Sequence, residues 1–393
     1  MIPYARQSID QSDIGAVVEV LQSDWLTQGP MVERFEQAIA ERCGAGHAVA
    51  VSNATAGLHL ACLAAGLGSG DWLWTTPISF VASANCGRYC GAGVDFVDID
   101  PHTWALDAAA LAQKLEQAAL QGRLPKVVVA VAFAGQSANM RSIKALARQY
   151  GFTLIEDAAH AVGARYAGVA VGSGEFADMT VFSFHPVKII TSAEGGMVLT
   201  NRADLAQRLR LLRGHGVTRD PGQMTEESHG AWYYQQLDLG FNYRITDLQA
   251  ALGLSQLARL DEFLERRRAL AARYQHLLSH LPVSVQAPQP EAESAWHLFV
   301  IRLQGDRLQR SHREVFDGMR AAGVGVNLHY IPIHLQPYYR ELGFKPGDFP
   351  QAEGYYAGAL SLPMYPDLSE AEQDHVVDSL GRLLQLPAGR RHD

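Results

Sequence analysis

Lys188 stands in the run VFSFHPVKIITSAEGGMVLT (181–200), whose only other charge is Glu194 and which closes on Gly195 and Gly196 before a last apolar stretch. An amine in an apolar surround loses its proton more readily, because desolvation disfavours the ammonium form. It is then a nucleophile toward carbonyl groups. Two more stretches carry reactive residue types. Asp157 and His160 close FTLIEDAAH (152–160), and the small residues of NATAG (53–57), Ala54 and Thr55 among them, follow HAVAVS (47–52) and open a helical pattern. Ser183 and His185 lie just ahead of Lys188. Each has a plain reading by itself: a solvated lysine, an aspartate capping a helix, a satisfied histidine, small residues packing a helix on a sheet. Their combination carries the argument.

One cofactor uses all three places. Pyridoxal phosphate needs an anion site for its phosphate, a carboxylate against its pyridine nitrogen, and a lysine amine for a Schiff base. Free amides at a helix start suit the phosphate. The paired glycines allow a close backbone approach to the cofactor or another chain, or mark a tight turn.

These residues are expected to be placed by an α/β domain. Apolar β-branched runs (HAVAVS, VDFVDID, KVVVAVAFAG, FTLIEDAA, MTVFSF) alternate with helical patterns (TAGLHLACLAAGLG, ALDAAALAQKLEQAAL, NMRSIKALARQYG). Continuous apolar strands imply burial on both faces and a mostly parallel sheet. Ligands of such sheets sit beyond the carboxyl ends of the strands, where Asp157, Ser183 and Lys188 fall. From Thr246 a long helical pattern runs to Leu281, and PVSVQAPQPEAES breaks it. Beyond lie the strand-like WHLFVIRL and GVNLHY, the helical REVFDGMRAAG, and a last helix whose Ser369 and Glu372 fit a capping box. The expected division is 1–255, a large cofactor domain, and 256–393, a smaller α+β domain with the long helix as connection.

The 393 residues are 48% hydrophobic and carry a net charge of -8 from 41 acidic and 33 basic side chains. That is long enough for two domains and argues against a general nucleic-acid surface. The four cysteines make neither a disulfide framework nor a zinc site and read as reduced thiols. No signal peptide or membrane-spanning stretch is evident, so a cytoplasmic location without membrane association is expected.

NATAGLHL, TTPISFVASAN, IEDAAHAVGARY, FSFHPVKIITSAEGGMVLTN, LGFNYRITDLQAALGLSQL and VNLHYIPIHLQPYYRELGF together resemble the DegT/StrS family of nucleotide-sugar aminotransferases, fold type I pyridoxal phosphate enzymes. The resemblance implies Lys188 as the Schiff-base lysine and Asp157 as partner of the pyridine nitrogen. It implies Phe80 stacked on the ring, although a Phe in a helix after a strand also reads as core, and Ala54, Thr55 and Ser183 at the phosphate. His160 stands where many relatives have Gln, beside the phenolic oxygen, and Ala54 where many have Gly. Asn242 is implied to reach a partner's phosphate, hence a homodimer with shared sites. Gln28, Gly29, His329, Tyr330 and, more weakly, His334 are implied at the sugar. The implied reaction moves an amino group from L-glutamate to C4 of a UDP-linked 4-keto-6-deoxy-N-acetylhexosamine. Alternatives are another nucleotide 4-keto sugar (a UDP-pentose, or a GDP- or dTDP-hexose) or a non-enzymatic regulator on this fold.

Overall fold

The computed structural model describes residues 1–305 and 309–384. Helices α1 (Gln11–Leu21) and α2 (Pro30–Cys43) precede the central sheet. Its strands are β1 (His47–Val51), β2 (Trp72–Thr75), β3 (Gly93–Phe96), β4 (Val127–Val131) and β5 (Thr153–Asp157), then, after the short β6 (Arg165–Tyr166) and β7 (Val169–Ala170), β8 (Met179–Ser183) and β9 (Gly196–Thr200). The order across the sheet is β1-β9-β8-β5-β4-β2-β3. Strands β3, β2, β4, β5 and β8 are parallel, and only β9 runs against its neighbours β8 and β1. Both β4 and β8 are buried along their whole length, as their continuous apolar sequences require.

Helices α3 (Ala54–Ala64), α4 (Ala82–Tyr89), α5 (Ala108–Leu120) and α6 (Met140–Tyr150) make the crossovers between successive strands from β1 to β5. The carboxyl ends of the parallel strands therefore share one edge, and β9 begins there. At Gly196 an added Cβ would lie 2.7 Å from the Ala54 nitrogen and the Asn53 carbonyl carbon. The second glycine of the pair thus lets β9 pass directly under the start of α3, within the same chain.

Helix α7 (Ala203–Arg213) and the pair β10 (Val217–Thr218) and β11 (Gln235–Gln236) lead to α8 (Asp247–Ala258) and α9 (Leu260–Leu278). The single long helix expected from Thr246 is two, parted at Arg259 (φ -101°, ψ 6°). The Arg259 guanidinium bonds the Ser8 carbonyl and the buried Asp13 carboxylate. Helix α8 packs on α1 and α2, whereas α9 contacts the last described helix.

A second sheet, β12 (Val283–Val285), β14 (Phe299–Leu303) and β15 (Ala359–Leu362), is antiparallel with β14 in the centre. Strand β13 (Ala292–Glu293) pairs instead with β6. With α10 (His312–Ala321), α11 (Pro337–Glu341), α12 (Pro350–Tyr356) and α13 (Glu370–Leu384) these elements complete the described residues. Leu270, Tyr274, Phe299, Ile301, Met319 and Leu380 fill the core between this sheet and its helices. A further cluster, in which Ile78, Trp104 and Phe133 meet Leu298, Val300 and Tyr355, joins the two sheets.

GVNLHY is not a strand. Asn327 makes one isolated bridge to Ser361, and its side chain accepts the Leu328 amide at 2.8 Å, which turns the chain toward the strand ends. Ser369 and Glu372 do cap α13, the Ser369 amide donating to Glu372 at 2.8 Å and the Glu372 amide to Ser369 at 3.3 Å. All four cysteines are free thiols. No described helix is long and apolar enough to cross a membrane.

Candidate active site

The strand ends form a row whose sequence follows from the sheet order: Asn53 after β1, Ser183 closing β8, Asp157 closing β5, and Ala132–Gly135 after β4. A cavity of about 740 Å³ opens over this row. Ala54, Thr55, Phe80, Asp157, His160, Ser183, Lys188, His329 and Tyr330 all line it.

At one end lies the start of α3. Asn53 caps the helix by accepting the Ala56 amide at 2.8 Å. The earlier amides of Ala54 and Thr55 have no intrahelical partner, and the first turn holds no acidic residue. The helix start is therefore free to receive an anion. Ser183 is buried beside it and lines the same cavity.

Asp157 sits in the middle of the row. Ser83, in the first turn of α4, donates to its Oδ2 at 2.6 Å, and the Ala159 amide donates to Oδ1 at 3.2 Å. Ser79 meets Ser83 at 2.6 Å and so fixes its hydroxyl. Burial pushes the Asp157 pKa up; the Ser83 and Ala159 bonds and the distant charge of Lys188 oppose this. Among the described residues no cation bonds the carboxylate, so the site has room for a cationic N–H.

Lys188 follows β8 in a tight turn, its own amide donating to the His185 carbonyl at 2.8 Å. The side chain keeps some exposure because its amine faces the cavity rather than packed protein. The surrounding walls still desolvate it and lower its pKa to about 8, with Asp157 pulling the other way. At neutral pH a useful fraction of the amine is uncharged.

The wall beyond β4 carries His160, His297, His329 and Tyr330. The Ala134 amide donates to His160 Nδ1 at 3.3 Å, and His160 Nε2 lies 3.1 Å from Tyr330 Oη. The His329 Nδ1 pairs with Ser361 Oγ at 2.8 Å. Burial, followed by the Lys188 charge, holds His329 down to about 3, and the same two causes keep His160 well below the usual imidazole range. These rings are neutral at physiological pH.

Phe80 lies in the loop before α4 rather than within a helix, and it is 58% exposed at the cavity rim. The core reading therefore fails for it, and its ring is free to cover a ligand. Gln28, Gly29 and Asn242 do not line the cavity of this chain. The Gly29 amide is bound by Asp247 at 2.7 Å, which caps α2, and Asn242 bridges Gly214. His334 also lies elsewhere, buried against Glu353 at 2.9 Å.

Sequence reasoning did not find Tyr4, Ser79, Ser83 and His297. The four-residue step between Ser79 and Ser83 was the available signal for the first pair of hydroxyls. Tyr4 and His297 reach the cavity from distant segments and carry no local signature.

The free amides of α3, a buried carboxylate without a bonded cation and a desolvated amine fit pyridoxal phosphate part by part. Known proteins are similar over the whole chain. Spore coat polysaccharide biosynthesis protein SpsC of Bacillus subtilis is 38% identical over 382 residues, 96% of each chain. The solved structure of Helicobacter pylori PseC, an aminotransferase involved in the biosynthesis of pseudoaminic acid, has 30% identity and a TM-score of 0.88 over 98% of this chain and 99% of that one. The PLP-form of the sugar aminotransferase Spr1654 from Streptococcus pneumoniae, described as putative in its own name, has 26% identity and a TM-score of 0.86 over 97% and 98%. The fold is that of the fold type I pyridoxal phosphate transferases, and the DegT/DnrJ/EryC1/StrS aminotransferase family model matches residues 7–381. With free amides, carboxylate and amine set in one row along such a sheet, the chain belongs to that family.

Proposed function

We propose that this protein uses pyridoxal phosphate to move an amino group from L-glutamate to C4 of a UDP-linked 4-keto-6-deoxy-N-acetylhexosamine, giving UDP-4-amino-4,6-dideoxy-N-acetyl-β-L-altrosamine. The observation that carries the chemistry is the row itself, with free α3 amides, Asp157 and the Lys188 amine along one sheet edge. The sugar is suggested by the likeness to PseC.

Ala54, Thr55 and Ser183 would hold the phosphate. Asp157, kept in place by Ser83, would keep the ring nitrogen protonated, and the bound cofactor supplies an electron sink. Lys188 would hold the cofactor's aldehyde carbon through its amine, and that amine would also be the base that takes the proton from the donor's α-carbon and the acid that delivers it to the cofactor. Phe80 covers the ring at the rim, and His329 and Tyr330 face the sugar.

Lys188 is the only lysine or arginine lining the cavity among the described residues. A dicarboxylate donor and a diphosphate demand more positive charge than that. This supports a homodimer in which a second copy completes each site; the family resemblance adds the uncharged Asn242 across that interface, with Gln28 and Gly29 bordering the sugar. The exposed Trp25, Trp232, Tyr234 and Leu239 offer apolar surface for it.

The test is a visible spectrum of the protein with pyridoxal phosphate, before and after L-glutamate, followed by mass analysis with the keto sugar. Glutamate should bleach the band, and the keto sugar should restore it while gaining an amino group. A band that never forms refutes the cofactor assignment. A band that glutamate bleaches but this sugar does not restore moves the activity to another nucleotide 4-keto sugar. A band that no amino donor changes turns the reading toward a regulator.

A further inference from the structure

Three of the four thiols meet in one cluster. Cys62 lies on α3, and Cys86 and Cys90 lie one turn apart at the end of α4, which packs beside it. The Cys62 thiol hydrogen-bonds both of them. All three belong to the apolar cluster that joins these helices to the sheet.

The three are not equivalent. Cys62 and Cys86 are fully buried, and Cys86 donates to the Ser83 carbonyl at 3.3 Å. Cys90, the residue that closes α4, is only half-buried and so within reach of a small solute. It hydrogen-bonds His59 as well as Cys62, and His59 Nδ1 lies 3.4 Å from the Tyr243 hydroxyl. The Cys62 bond, opposed by burial and helped by His59, brings the Cys90 thiol down to about 6. Cys62, bonded by Cys86 and Cys90 and buried, is held well above the usual thiol range. Cys43 gives the contrast: burial pushes it up to about 12, with only Arg42 acting against this.

A reachable thiolate beside a protonated second thiol is the arrangement that hydroperoxides oxidise. The helix decides which pair can join. Cys86 and Cys90 are i and i+4 on α4, a spacing that holds Cβ atoms about 5–6 Å apart, whereas a disulfide needs roughly 3.5–4.5 Å. Cys62 instead meets Cys90 from the neighbouring helix. We propose that Cys90 is a hydroperoxide-reactive cysteine and that Cys62 resolves it, forming a reversible disulfide between α3 and α4.

In the first step the Cys90 thiolate attacks one peroxide oxygen, the O–O bond breaks, and Cys90 becomes a sulfenic acid while hydroxide leaves and takes up the proton lost by the thiol. In the second, the Cys62 sulfur attacks the sulfenic sulfur, the S–S bond forms, and the sulfenic oxygen departs as water with the Cys62 proton. Two thiols thus give up two electrons and two protons, and one hydrogen peroxide becomes two waters. The bond fastens the far ends of two helices whose first turns carry the Ala54 and Thr55 amides and the Ser83 hydroxyl bonded to Asp157.

The test treats the protein with hydrogen peroxide, blocks remaining thiols with iodoacetamide and maps tryptic peptides without reductant. No lysine or arginine lies between Cys43 and Arg88, so Cys62 and Cys86 share the peptide 43–88 and Cys90 lies in 89–114. The two peptides should appear joined, with fragmentation placing the bond at Cys62 and Cys90, and dithiothreitol should part them. Cys90→Ser should abolish the link and slow peroxide-driven thiol loss by at least about tenfold. In Cys62→Ala the Cys90 sulfenic acid should persist and be trapped by dimedone, while Cys86→Ala should keep the link. The proposal falls if peroxide spares Cys90, consumes Cys43 first, or joins Cys62 to Cys86 within one peptide. If Cys62→Ala fails to fold, the map of the unchanged protein decides alone. The readout is thiol chemistry, so the result stands whether or not the cofactor reading does.

Discussion

Glu156 and Asp157 are neighbours on β5 and point to opposite faces of the sheet. Each is buried and each accepts a serine hydroxyl at 2.6 Å, Ser137 for Glu156 and Ser83 for Asp157. Burial raises the pKa of both, that of Glu156 to about 7. Only Asp157 lines the cavity. The same contrast holds for two cations. Arg267 is buried in α9 and gives one nitrogen to the carbonyls of Trp296, His297 and Met364, each at 3.2 Å. Lys188 has no bond to its amine among the described residues. Burial and an unusual pKa are thus common to both regions. What marks the reactive one is that its polar groups remain unanswered by the protein and face open space.

This contrast predicts what each side loses when broken. Lys188→Ala should reduce transamination by about 10⁴-fold or more, since under the proposed function it removes both the covalent attachment and the proton carrier; steady-state turnover measures it. Asp157→Asn, which keeps the size and the Ser83 bond, should lower kcat by about 10²- to 10³-fold with an unchanged denaturation midpoint.

On the other side, Arg267→Met should leave turnover per folded molecule intact while lowering stability by about 3 kcal/mol in urea unfolding, because three buried carbonyls lose their donor. Glu156 sharpens the comparison through pH. Its folded pKa of about 7 lies above its unfolded value, so the folded state holds the extra proton and stability falls as pH rises from about 4.5 to 7. Glu156→Gln should remove that fall, a difference on the order of 1–3 kcal/mol at pH 8. The smallest effect belongs to Ser369→Ala, which removes the cap of α13 and should cost about 1 kcal/mol at every pH.

Much of this arrangement was legible in the sequence. Val127–Val131 and Met179–Ser183 announce buried parallel strands by unbroken apolar character, and such strands place Asp157 and Lys188 at their ends without further information. Ser369 and Glu372 encode their own cap within four residues. What stayed hidden depends on contacts between distant segments. The break at Arg259 has no glycine or proline to signal it; its guanidinium is bound by Ser8 and Asp13 some 250 residues away. GVNLHY has strand-like composition, yet a local Asn327 bond to the Leu328 amide diverts it. His297 and Tyr4 enter the cavity only because the second sheet and the chain start fold over the first.

The most direct test of the central claim is to incubate the protein with pyridoxal phosphate, reduce with borohydride, digest and locate the adduct by mass spectrometry. The account predicts one pyridoxyl-phosphate adduct, on the peptide carrying Lys188 and absent from Lys188→Ala. An adduct on a different lysine, or none on a protein that still transfers the amino group, would contradict it.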